Sequence, residues 1–167
     1  MYEKVRSAGM RKRDYKLFIA IAVCVLILAI TTAPIIFSAN YQHRYRLFQN
    51  SLAESTVYAR ENNSLAMELD GISTPLDIDG GYHKLFLKLV EAGAGRTGEP
   101  PEGSADVIIT FGNDASLELW GVKLIGYVDT DAEYGLFLRY TYPDGKIYAY
   151  DTDEITIERA IELLRYN

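Results

Sequence analysis

Residues Leu17 to Phe37 read LFIAIAVCVLILAITTAPIIF, twenty-one positions without a charge, where Cys24, Thr31 and Thr32 are the only polar side chains. At the helical rise this stretch is about 31 Å long, which matches the hydrocarbon core of a bilayer. The expectation is a single membrane-spanning helix over residues 17–37. Residues 1–16 then form a basic tail, 38–70 a helical stalk, and 71–167 an α+β domain of ordinary size.

The charge divides at the same place. Residues 1–37 carry Lys4, Arg6, Arg11, Lys12, Arg13 and Lys16 against Glu3 and Asp14, a balance of +4. The chain as a whole is -6, so the remainder sums to -10. A domain that acidic repels nucleic acid and anionic headgroups, and neither is expected as its partner. Arg11, Lys12, Arg13 and Lys16 lie just before the apolar run, whereas within about 20 residues on its far side only Arg44, Arg46 and Arg60 occur. By the positive-inside rule the N-terminus is cytoplasmic and the domain is extracytoplasmic. A cleaved signal peptide is the weaker reading, since its apolar region usually has about 7–15 residues and a small-x-small site. The best site here, after Ala39, has Phe37 two residues before it.

Cys24, the only cysteine, lies inside the apolar run. A Cys-based active site, a Cys-ligated zinc site and a disulfide are therefore excluded from the outer domain. The lack of disulfides favours a bacterial cell surface over an animal secreted domain.

From Asn40 to Leu69 no Pro or Gly occurs, and Tyr41, Tyr45, Phe48, Leu52, Ser55, Ala59, Asn62, Ala66 and Leu69 recur at steps of three or four. That spacing predicts a helix to Leu69, with a stripe interrupted at Ser55 and Asn62. Gly71 and Thr74-Pro75 end it. Tyr82, Leu85, Phe86, Leu89 and Val90 predict a second helix, closed by Gly93 or Gly95. Residues 93–104, GAGRTGEPPEGS, form a loop.

Beyond that loop the period changes to two, and four antiparallel strands are expected. They run from Val107 to Phe111, from Leu117 past Trp120, from Tyr134 to Tyr142 and from Lys146 to Tyr150. Pro143-Asp144-Gly145 makes a hairpin turn that sets Tyr140 opposite Tyr148, on one face with Leu136 and Leu138. A last helix through Ile155, Ala160, Ile161, Leu163 and Leu164 takes Thr152 or Asp153 as its cap. The outer domain is thus an α+β fold in the order helix, helix, four-stranded meander, helix.

Chemistry is sparse. His43 and His83 belong to no catalytic pattern, and Gly93-Ala-Gly95-Arg-Thr-Gly98 follows a helix where a dinucleotide loop follows a strand. Asp129, Asp131 and Glu133 have calcium-loop spacing, but Tyr134 and Tyr140 replace the required Gly and Glu. These acids, like Asp77/Asp79 and Asp151/Asp153/Glu154, suit turns and caps. No catalytic residue, metal ligand or cofactor is expected.

The distinctive surplus is aromatic. Trp120, Tyr140, Tyr148 and Tyr150 crowd the expected sheet, either as strand-favoured packing or as a recognition surface. Trp120 alternates with Leu119 onto the Glu118 side, away from the expected core. These four are the candidate partner-binding residues, and the expected function is a membrane-anchored binding or regulatory module for another membrane or envelope protein. Two alternatives stand beside it: an envelope hydrolase with paired carboxylates, and a small accessory subunit of a transmembrane complex. An open sheet edge or apolar patch supports the module, whereas convergent acids support the hydrolase.

Overall fold

The computed structural model describes residues 12–91, 99–123 and 134–165. Two compact units divide at His43 and Arg44. The chain is an α+β protein, with a long N-terminal apolar helix followed by a six-stranded antiparallel sheet and further helices.

Helix α1 covers Lys12–Asn62. In the first unit its aliphatic side chains lie open: from Ile19 to Ile30 the described Ile, Leu and Val residues are 43% to 63% exposed. An 18-residue window here has a mean hydropathy of 2.5 and none of it is buried, so the helix is long and apolar enough to cross a membrane. Thr31 and Thr32 turn their hydroxyls back onto the helix. Thr31 Oγ1 donates to the carbonyls of Ile27 and Leu28 at 2.9 and 3.1 Å, and Thr32 Oγ1 to Leu28 at 2.7 Å.

In the second unit α1 is one wall of a core. Phe48, Leu52, Ser55 and Ala59, spaced by four, three and four, are fully buried. The helix expected to reach Leu69 ends at Asn62. Asn63 adopts a left-handed φ of 48°, and Ser64 N donates to Ala59 O at 3.0 Å, a C-terminal cap in which Asn fills the place often taken by glycine.

The strand count of four is likewise corrected to six. Strand β1 (Ala66–Leu69) pairs with β2 (Ile72–Pro75) through Asp70-Gly71, whose φ values of 52° and 76° make a two-residue hairpin turn. Asp-Gly suits the double positive φ that such a turn demands. The expected strands are β3 (Val107–Thr110), β4 (Ser116–Lys123), β5 (Tyr134–Thr141) and β6 (Ile147–Thr152), and the sheet order is β2-β1-β3-β4-β5-β6. Tyr140 stands opposite Tyr148, as the Pro143-Asp144-Gly145 turn requires, and Tyr142 N donates to Lys146 O at 2.8 Å.

Helix α2 (His83–Glu91) and helix α3 (Ile157–Arg165) join the second part of α1 on one face of the sheet. Tyr150 OH donates to Leu89 O at 3.1 Å, which ties β6 to α2. The cap of α3 is Thr156 and not Thr152 or Asp153: Arg159 N donates to Thr156 Oγ1 at 3.4 Å, and Ile155 is buried just outside the helix. Thr152 instead accepts from Glu154 N at 3.2 Å.

Candidate functional site

The aromatic residues singled out from the sequence divide between the two faces of the sheet, and all four are buried. Tyr140, Tyr148 and Tyr150 converge on Phe48 on the helix-covered face. Phe48 stacks on Tyr148 with ring centroids 4.9 Å apart and meets Tyr140 and Tyr150 edge-on at 5.5 and 5.8 Å. The Tyr140 hydroxyl lies 3.1 Å from Ser51 Oγ and 2.9 Å from Ser55 Oγ, and Asn113 Nδ2 donates to Ser55 at 3.0 Å. The polar gap at Ser55 is therefore the helix's contact with a buried phenol. Thr56 repeats the device with Tyr82 OH at 3.2 Å. Burial pushes the Tyr140 hydroxyl above its ordinary range and Tyr82 still further, so both remain neutral.

Trp120 lies on the opposite face, only 5% exposed. Its ring meets Phe137 edge-on at 5.7 Å, and the Arg139 guanidinium lies over it at 5.3 Å. Arg139 is also ion-paired with Glu118. Glu118, Trp120, Phe137 and Arg139 thus make one mixed cluster by cross-strand pairing.

The other candidates scatter. Lys12, Arg13 and Lys16 lie in the first turns of α1, and Arg11 lies outside the described residues. His43 and His83 are both exposed. Asp77 accepts from Asp79 N at 3.0 Å, and Asp79 is ion-paired with Arg60. Asp129, Asp131 and Glu133 lie outside the described residues. Among those described, no group of three or more His, Cys, Asp or Glu is placed to hold a metal ion.

The largest cleft described, about 930 Å³, is one that single-residue reasoning missed. Leu69 and Asp70 of the β1–β2 hairpin, Asp106, Gly121 to Lys123 of β4, Tyr134, and Ile157, Glu158 and Ile161 of α3 line it. It exists because α3 rests directly on β4 at Gly121. A Cβ there would come within 2.5 Å of Ile157 Cγ2. Asp106 Oδ2 fixes the same point by accepting from Gly121 N at 2.8 Å. Its mark in the sequence is Gly121, an isolated glycine inside a strand, which signals a close approach.

Among the described residues that line the cleft there is no histidine, cysteine or serine. Glu158 is held below the usual carboxylate range by its own backbone N–H and by the Thr156 hydroxyl. A general acid working at neutral pH needs the opposite shift. Apolar walls from Leu69, Val122, Ile157 and Ile161 stand beside the charged side chains of its rim. The chain matches no protein-family model, no curated protein and no solved structure.

Proposed function

We propose that the chain is a single-pass membrane protein with a cytoplasmic N-terminus, whose outer α+β domain is a binding module for another membrane or envelope protein and not an enzyme. The observation that carries this reading is the exposed aliphatic run of α1 beside a domain with its own core. Open Ile, Leu and Val side chains over several turns are costly in water and favourable in hydrocarbon. The inward-bonded Thr31 and Thr32 hydroxyls fit the same solvent, which offers no partner of its own. The basic residues from Arg11 to Lys16 supply the orientation, and the acidic domain is the translocated part.

Binding is preferred to catalysis because three of the described surface acids are engaged as ion pairs or at a helix start: Asp79 with Arg60, Asp144 with Lys146, and Glu158 at the beginning of α3. Asp79, Asp144 and Glu158 are each lowered, by the Arg60 side chain, by Lys146, and by the start of α3.

Topology is tested in the full-length protein with Cys24→Ala and single cysteines at Ser7 or Val57. In intact cells a membrane-impermeant maleimide should label Val57→Cys and leave Ser7→Cys untouched until the cells are opened. The reverse pattern, or release of the protein by alkaline carbonate, would overturn the proposal.

A further inference from the structure

Among the described residues the sheet has two edges, β2 and β6, and they are built differently. In β2 the ladder fixes which backbone groups face outward. Leu76 N donates to Leu65 O at 3.0 Å, so alternation turns Ile72, Thr74 and Leu76 towards β1 and leaves Ser73 and Pro75 facing out. Pro75 has no N–H, and Ser73 is then the one outward donor of a four-residue strand. That is a blunted edge.

Strand β6 has six residues, no proline and an unbroken register with β5. The bond from Tyr142 N to Lys146 O starts an alternation in which Lys146, Tyr148, Tyr150 and Thr152 face β5. Ile147 and Ala149 accordingly direct both N–H and C=O away from the sheet. Beside them lies a groove of about 380 Å³, walled by Leu47, Asn50 and Ser51 of α1 and by Tyr142, Ile147 and Tyr148. Leu47 and Ile147 are 48% and 56% exposed.

We infer that β6 is where the partner docks, as an extended segment of a second polypeptide that adds a seventh strand to the sheet. This rests on the binding-module reading above. Outward backbone groups define the occupant as a strand, since an extended chain supplies donors and acceptors at the matching period. The added residue opposite Tyr148 points to the helix-covered side and enters the groove against Leu47. Its neighbour, opposite Ile147, meets that aliphatic side chain on the other face. Both positions call for apolar side chains; the charged lining of the groove is balanced, Arg44 and Lys146 against Glu54 and Asp144, so it is the overall charge of -10 after Phe37 that favours basic flanks beyond the groove. A second copy fits poorly: it carries the same negative charge, and antiparallel pairing centred on Ala149 would set Ile147 against Asp151.

The test uses the full-length protein in its native membrane, with a benzophenone side chain in place of Leu47 and, separately, of Tyr134 in the cleft and Val57 on the far side of α1. The Leu47 probe should give an adduct with a different protein, mapping to adjacent apolar residues with basic flanks. Ala149→Pro removes an outward donor without costing a β5–β6 bond, so it should cut that adduct at least tenfold while leaving the thermal midpoint in place. Should Ala149→Pro lower the midpoint, Ile147→Asp, a change at an exposed side chain, decides by the same tenfold criterion. An adduct undiminished by the deciding variant, an adduct with a second copy, or adducts only from Tyr134 or Val57 would overturn the edge proposal while leaving the module reading intact. No adduct from any of the three positions would overturn both.

Discussion

The two parts of α1 differ in how their apolar residues are spread around the helix. Upstream, the described Ile, Leu and Val residues from Ile19 to Ile30 lie on every side of the helix and stay exposed. Downstream, the apolar residues narrow to a stripe of Phe48, Leu52 and Ala59, with Ser55 in the same row, and the opposite side is Glu54, Val57, Glu61 and their polar neighbours. Exposure alone therefore does not reveal what a residue is worth. Leu28 and Val57 are 61% and 55% exposed, yet one lies in a continuous apolar surface and the other alone among charges.

The sharpest way to break this comparison is to truncate a phenylalanine in each part. Phe48→Ala removes the ring at the centre of four aromatic contacts and should destabilise the domain by about 3–5 kcal/mol, read by denaturant unfolding. Phe37→Ala, at a residue 77% exposed, should leave that unfolding curve in place. Equal effects would mean that Phe48 is not core.

Arginine substitutions reverse the ranking. Leu28→Arg should oppose membrane insertion by about 2.5–3.5 kcal/mol, seen as protein lost from the carbonate-resistant fraction. Val57→Arg should change neither insertion nor folding by more than about 0.5 kcal/mol. A carbonate-resistant fraction unmoved by Leu28→Arg would remove the hydrocarbon reading of the upstream part.

The smallest effect is expected from alkali, and it belongs to the downstream part alone. Burial raises the Tyr82 and Tyr140 hydroxyls, so the folded domain keeps protons that the unfolded chain releases near pH 10. The associated stability is complete below about pH 10 and declines as pH rises beyond it. Thermal midpoints measured from about pH 8 to 11 should fall in that window, less steeply for Tyr82→Phe. A flat profile would show these phenols to be solvated.

Much of the fold was legible because period carries it. The apolar run, the amphipathic α2 and α3, the strands β3 to β6 and the Tyr140–Tyr148 register all follow from spacing or from Pro143-Asp144-Gly145. The β1–β2 hairpin was not, because Ala66 and Leu69 extend the helical step of three, and that pattern masked the Asp70-Gly71 turn. Only the left-handed Asn63 separates helix from strand there. The candidate site was less legible still. Tyr and Trp suit a core and an interface equally well, and burial of Trp120 and Tyr148 depends on residues far off in the chain. The β6 edge is a property of sheet order, which no local motif encodes.

The stacking of Phe48 on Tyr148 also sets a timetable for the nascent chain. The two rings are about a hundred residues apart, so the helix is synthesised long before the strand that covers it. The meander of β4, β5 and β6 closes through contacts between neighbouring strands, whereas the contact between α1 and β6 spans about a hundred residues and can close only once β6 has been made. Until then Phe48 and Leu52 lack the strand that buries them, and exposed apolar residues of this kind are what aggregation and chaperones act on.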